Sequence, residues 1–347
     1  DLDGLIVTAP EDVSYLTGFG GDDSVLVLTE KGRVLVTDSR YTEQVKQECR
    51  GLAMVMRKGA MSEAVGEVCS KLLPKRGRRP VRLGVERDSV TVGQYKGYRK
   101  AVGSGLQVVG PLVAELRLCK DEYEVGQIRK AAMVAAESIL EVLGWLEPGM
   151  SEREVAARLD YEMGRLGSEK PAFASIVAFG DHAAQPHAIP GARRLKKRDT
   201  LLFDWGATLG GYRSDLTRCY AVGRILPVFA DAYRRVLEAQ MAAISAIRAG
   251  VRLKDVDAAA RKVLRGSGLP MYGHGTGHGL GRQVHEGPYV NGKQEMEMRE
   301  GMVVTIEPGV YVPGGYGIRI EDDVLVSSKG PKLLSRLAKD FDSILLK

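Results

Sequence analysis

The sequence predicts an α/β (α+β) chain of two domains, the second of them internally duplicated, and three observations carry that prediction. Residues 1–115 alternate apolar runs of strand length with segments of helical period, the pattern of an α/β unit. From about residue 118 the order helix pair, then strand group, occurs twice. Each strand group also holds a look-alike hairpin, Asp204-Trp-Gly-Ala-Thr-Leu-Gly-Gly-Tyr-Arg-Ser-Asp215 in the first and Glu307-Pro-Gly-Val-Tyr-Val-Pro-Gly-Gly-Tyr-Gly-Ile-Arg-Ile-Glu321 in the second. Both run carboxylate, x-Gly, Gly-Gly-Tyr turn, carboxylate. The expected domains are residues 1–117 and 118–347, with the seam between the repeated halves as the place for a pocket.

In the first domain, strands are expected at 4–9, 24–29, 33–38 and 52–56, with shorter ones at 83–86 and 107–109. Helices are expected near 41–48, 61–73 and 92–100. This domain holds no histidine, and its acids lie scattered among Lys and Arg, which reads as surface. In the second domain, Asp121 with Glu124 forms a capping box that opens a helix to about residue 146, ended by Pro148-Gly149. Ser151 with Glu154 is a second capping box, for a helix to about residue 166. Pro227 starts a third helix and Gly250 ends it, with apolar periodicity through Val236, Leu237, Met241, Ile244 and Ile247. A fourth covers about 253–265.

A chain of 347 residues, 44% hydrophobic and 27% charged, has the makings of a soluble globular protein of two domains. No run approaches the ~18 apolar residues of a membrane span, so a membrane partner is not expected. No secretory leader opens the sequence; it starts at Asp1 rather than Met, which leaves room for a leading segment. Cys49, Cys69, Cys119 and Cys219 form no CxxC and are expected as buried free thiols in a reducing cytoplasm. The net charge of +6 raises nucleic acid as a partner, but the basic runs at 75–82 and 193–198 lack interleaved aromatics. Both read as solvated loops, and nucleic acid is not expected.

Any one of Asp204, Asp215, Glu307 and Glu321, taken alone, reads as a turn or exposed strand residue. As a duplicated set they converge, and converging carboxylates cannot share a dry site without positive charge. Alternation puts Asp215 on a face with Arg213 and Thr217 along 212–220. It puts Arg319 beside Glu321 along 317–324, with Ile318 and Ile320 toward the core. Between the hairpins lies Gly273-His-Gly-Thr-Gly-His-Gly-Leu-Gly281, where the glycines oppose a helix and favour a loop of close backbone approach. His278 is the expected imidazole ligand. His274 either supports the ligands or touches substrate. An oxygen-rich set with one imidazole suits two ions of Mn(II), Co(II), Fe(II) or Zn(II) rather than a thiolate zinc site. All five histidines fall in the second domain, and that clustering marks His187 and His285 as donors to a carbonyl or a tetrahedral intermediate. His182 reads as a loop residue.

These stretches resemble a known family. Pro186-His, Leu202-Phe-Asp-Trp-Gly-Ala, Ser214-Asp-Leu-Thr-Arg, the 274–281 loop, Val284-His-Glu-Gly-Pro, Thr305-Ile-Glu-Pro-Gly and Gly317-Ile-Arg-Ile-Glu-Asp-Asp are similar to the pita-bread metallopeptidases. The branch is that of Xaa-Pro aminopeptidases and Xaa-Pro dipeptidases (prolidases). Gly4-Leu-Ile-Val and Val13-Ser-Tyr-Leu-Thr-Gly-Phe look like that branch's creatinase/prolidase-type amino-terminal domain. The resemblance implies a homodimer that takes a proline-containing peptide and holds two divalent ions, Mn(II) first. Asp204 would chelate one ion, Asp215 and Glu321 bridge both, and His278 and Glu307 complete one shell each. A metal-bridging hydroxide would attack the carbonyl before proline, with Glu307 as proton acceptor. His187 and His285 would steady the substrate and the oxyanion with His274 nearby, and Arg319 would orient carboxylates. An Xaa-Pro bond has no N–H to read, so a proline pocket is required. The complete ligand set speaks against a non-catalytic pita-bread module binding protein or RNA. It also speaks against a creatinase-like amidinohydrolase, which works without metal. One departure is Gly180-Asp-His-Ala, where the family leads one to expect smaller or Asn/Ser-type residues; it bears on substrate preference.

Overall fold

A computed structural model gives the structure and describes residues 2–73 and 81–346. The chain divides into two compact units, Asp1–Leu116 and Arg117–Lys347.

The first unit is a six-stranded mixed sheet. Its strands are β1 (Gly4–Val7), β2 (Val25–Thr29), β3 (Gly32–Thr37), β4 (Ala53–Met56), β5 (Leu83–Glu86) and β6 (Leu106–Val109), in the order β4-β3-β2-β1-β5-β6. Period-two alternation decides what covers each face. Ile6, Val25, Val27, Val34 and Val36 pack on α3 (Met61–Leu72) and α4 (Val92–Val102). Val7, Leu26 and Leu35 face α1 (Pro10–Thr17), α2 (Thr42–Glu48) and α5 (Leu112–Leu116). The first expected strand is shorter than its apolar run. Pro10 stops the ladder and starts α1, which ends at Gly18 with φ +79°. The surface reading of the acids fails at Asp12 and Glu86, both buried; Glu86 accepts the Val113 N–H at 2.7 Å. Most of the basic run at 75–82 lies outside the described residues.

The second unit opens with α6 (Glu122–Trp145) and α7 (Glu152–Arg165), each started by its expected capping box. The strand group β7 (Ile176–Phe179), β8 (Thr200–Trp205) and β11 (Leu216–Val222) follows, with the terminal β19 (Leu345–Leu346), in the sheet order β19-β11-β8-β7. Then come α8 (Pro227–Ala246) and α9 (Leu253–Leu264). The second strand group is a five-stranded sheet, ordered β13-β12-β14-β17-β18. Its members are β12 (Gly277–Gly279), β13 (Glu286–Val290), β14 (Val303–Ile306), β17 (Asp322–Ser327) and β18 (Gly330–Leu333). Helix α8 stops at Ala246, one turn before the expected Gly250, which instead takes φ +85° in the following turn.

The two hairpins are small sheets of their own, β9 (Thr208–Leu209) with β10 (Tyr212–Arg213), and β15 (Gly309–Val312) with β16 (Tyr316–Arg319). This corrects the continuous strands read along 212–220 and 317–324. Each breaks as the chain leaves its hairpin for the main sheet, at Ser214-Asp215 and at Ile320-Glu321. A single bridge between Thr217 and Glu321 joins the halves at that seam. In the second basic run, Arg194 and residues 196–198 are exposed as expected. Arg193 is not a free cation: it pairs with Asp181 at 2.9 Å and Asp199 at 2.8 Å. The four cysteines are free; three are buried and Cys119 is partly exposed.

Candidate metal centre

Five side chains meet at the seam. Asp204 comes from β8, Asp215 and Glu321 from the two joints, His278 from β12, and Glu307 from the residue after β14. Three overlapping donor groups form there: Asp204–Asp215–Glu321, His278–Glu307–Glu321 and Asp215–His278–His285. Within each group the donor atoms lie within 4.8 Å of one another. The backbone approach this needs explains the glycines. A Cβ at Gly277 would sit 1.8 Å from the Thr305 carbonyl oxygen, and one at Gly279 would sit 2.0 Å from that of Gly287.

The electrostatics call for a cation. Burial, and then the neighbouring carboxylates, push Asp215 and Glu321 well above the usual carboxylate range. Burial pushes Glu307 up to about 7. Burial, and then His285 beside it, pull His278 down to about 4, so its ring is neutral at physiological pH. Its Nδ1 lies 3.1 Å from the Gly279 carbonyl oxygen and must donate to it. Nε2 is then an unprotonated lone pair, held 3.5 Å from Glu307 Oε1 and 3.6 Å from Asp215 Oδ2. Both contacts set that lone pair beside a buried carboxyl group. Asp204 Oδ1 is likewise buried without a hydrogen-bond partner. Such a cluster fits divalent ions, which satisfy all these lone pairs at once.

A hydrogen-bonded rim aims the acids. Arg319 reaches Asp204 through Nη2, Thr217 Oγ1 through Nε at 3.1 Å, and the Tyr311 hydroxyl through Nη1 at 2.8 Å. Thr217 donates to Glu321 Oε2 at 2.6 Å. His274 gives Nδ1–H to the Gly275 carbonyl (2.7 Å), so Nε2 accepts from Tyr311 at 3.0 Å. Its ring, neutral through burial at about 4, supports Tyr311 while Nδ1 lies 3.9 Å from Glu307. His285 packs edge-on against His278, ring centroids 4.4 Å apart, and burial lowers it too.

A cavity of about 630 Å³ opens over the acids. His187, His274, His278 and His285 all line it, and Phe173, Ile189 and Tyr289 give it an apolar side. His182 is not among them. Sequence reasoning missed Tyr311, whose only mark was its place in the second hairpin. It also missed Glu286, which sits buried between Arg117 and Lys120, the latter at 2.9 Å, and anchors the strand that follows His285. Burial pushes Glu286 up, but the two cations outweigh it and hold the carboxyl below its usual range. Asp323 was missed as well: it accepts the Asp215 N–H at 3.2 Å.

Two strand-and-helix repeats closing on an acid–imidazole cluster define a pita-bread metallopeptidase fold. Residues 126–328 match metallopeptidase family M24, and residues 1–119 match the creatinase/prolidase N-terminal domain. The chain belongs to metallopeptidase family M24. It is 32% identical to the Xaa-Pro dipeptidase of Bacillus anthracis, with a TM-score of 0.92 over 99% of this chain and 95% of that one. It is 31% identical to the X-Pro aminopeptidase of Thermotoga maritima MSB8, with a TM-score of 0.89 over 98% of this chain and 97% of that one. The uncharacterized peptidase YqhT of Bacillus subtilis (strain 168) is 33% identical, over 98% of this chain and 95% of its own. The chain is therefore a peptidase of the metal-dependent kind.

Proposed function

We propose that this protein is a dinuclear-metal peptidase hydrolysing the Xaa-Pro bond, at the N-terminus of peptides or in Xaa-Pro dipeptides. The observation that carries the reading is the His278 Nε2 lone pair set among buried acids whose charge a bound cation would balance. Asp204, Asp215, His278, Glu307 and Glu321 would hold the ions. Manganese is the first candidate, with cobalt, iron and zinc also suited to the donors. When bound, the ions supply a hydroxide nucleophile near neutral pH and polarise the scissile carbonyl. Glu307 accepts and returns the proton. His187 and His285 line the cavity as donors to the substrate carbonyl and the developing oxyanion. Arg319 keeps Asp204 turned toward the ions. The apolar side of the cavity suits a proline ring, which offers no N–H to read. The free thiols accord with a reducing cytoplasm, and the family resemblance supports a homodimer.

The deciding assay compares Xaa-Pro dipeptides with Xaa-Pro-Yaa peptides, first on chelator-stripped protein and then with manganese or cobalt added. Cleavage before proline only when metal is present is expected. Turnover by the stripped protein, or cleavage elsewhere, defeats the reading. The preferred peptide length then separates dipeptidase from aminopeptidase action.

A further inference from the structure

We propose that Glu152 and His182 form a clasp that positions His187 for substrate, an inference that rests on His187 contacting substrate as proposed above. Glu152 stands in the first turn of α7 with no exposed surface. Its Oε1 accepts the Phe179 N–H at 2.9 Å and its Oε2 accepts the Gly191 N–H at 3.0 Å. His182 Nδ1 lies 2.8 Å and 2.9 Å from the same two oxygens. A carboxylate only accepts, so Nδ1 carries the proton. One buried side chain thus gathers both ends of the segment 180–191. The middle of that segment supplies Pro186, His187, Ile189 and Pro190 to the catalytic cavity.

Two further ties act on the same segment. Arg193 bridges Asp181 to Asp199 across its base. A Cβ at Gly317 would sit 1.7 Å from the Ala183 carbonyl oxygen, so the strand leading to Arg319 lies directly against the segment, and Arg319 Nη1 reaches the Pro186 carbonyl at 3.3 Å. The partners of the Glu152 carboxylate, Phe179, His182 and Gly191, all belong to this segment or its two ends. Within this segment, residues Gly180–Ala184 form a short 3-10 turn, and beyond it Gln185 N–H bonds the His182 carbonyl and Ala188 N–H the Gln185 carbonyl. Its order depends on how its ends are held. At the departure Gly180-Asp-His-Ala, His182 supplies the side-chain partner of the buried Glu152 carboxylate.

A double-mutant cycle tests this on the full-length, metal-loaded protein with an Xaa-Pro-Yaa peptide, alongside metal analysis and hydrogen exchange. Misplacing a substrate-contacting group by about an ångström costs up to about a hundredfold. His182→Ala should therefore lower kcat/KM by about tenfold or more, at unchanged metal content. In a His187→Ala background the same change should cost less than about twofold, because both act through one group. His182→Asn, whose side-chain amide can take the place of Nδ1–H, should restore activity. Amides of 180–191 should exchange faster in His182→Ala but not in His182→Asn. An equal loss in both backgrounds, loss of metal with activity, or unchanged exchange overturns the clasp. Absence of Xaa-Pro hydrolysis in the parent overturns the functional reading instead, and the exchange experiment still decides whether the clasp exists.

Discussion

At the scale of single residues, Asp215 and Glu321 carry the most. They are nearly fully buried and belong to the donor groups that overlap at the centre. Asp215→Asn and Glu321→Gln should each abolish hydrolysis and reduce bound metal, read by activity assay and by elemental analysis. Full activity in either variant freed of metal would sink the dinuclear reading. His285→Ala should lower turnover more than metal content; equal losses would make His285 a ligand, a role its place beside Asp215 and His278 permits. The pH dependence follows from the raised acids. Glu307 stands at about 7 and His278 at about 4, so on lowering the pH the acid takes up its proton long before the imidazole does. Ions must displace that proton, so affinity should fall as pH drops through about 7, with protons released on binding. Calorimetry in buffers of different ionisation heat measures the release. Affinity that is flat from pH 8 to 5 would contradict this assignment. The acids, His278 and Arg319 were all legible in the sequence, because residue type and duplicated spacing mark them. Tyr311 and Glu286 were not, since what qualifies them is a partner distant in the chain: Tyr311 meets His274 at 3.0 Å, and Glu286 meets Lys120 at 2.9 Å.

At the scale of elements, the helix starts were written locally and the strand ends were not. Asp121 and Ser151 each satisfy a first-turn N–H three residues on, a purely local bond that a sequence displays. Asp121→Ala should cost about 1 kcal/mol in urea denaturation, with activity per folded molecule unchanged. The glycine loop makes the contrary case. Gly277→Ala and Gly279→Ala drive a methyl into backbone carbonyls at 1.8 and 2.0 Å, so each should cost more than about 2 kcal/mol and strip metal. Gly273→Ala meets nothing within 4 Å and should be tolerated. A sequence shows five alternating glycines as equals; only the packed neighbours rank them. The same holds for the breaks at Ser214-Asp215 and Ile320-Glu321, which arise where strands exchange partners between sheets rather than from any turn signal in the residues.

For the whole molecule, the proposed metal centre would couple ion binding to folding. An ion that binds only the folded chain stabilises it by about 2.7 kcal/mol at a hundredfold excess over its Kd. Restoring manganese to stripped protein should therefore raise Tm by several degrees, and the gain should vanish in Glu321→Gln. Scanning calorimetry reads both. Sedimentation at working concentration tests the proposed homodimer; a monomer that keeps full activity would remove the dimer from the reading. By itself the sequence determined the α/β class, the duplicated order of elements, the capped helices and the roster of acids and imidazoles. Those follow from short-range periodicity, capping chemistry and residue type. Tertiary structure alone decided that Asp215 and Glu321 sit on strand joints at the seam of the two halves, and that Arg319, Thr217 and Tyr311 link into one rim. It alone placed His182 on Glu152 instead of in solvent. Each of these joins residues far apart in the chain, and the energy that fixes them, close packing and the pairing of buried charge, exists only once the halves have closed.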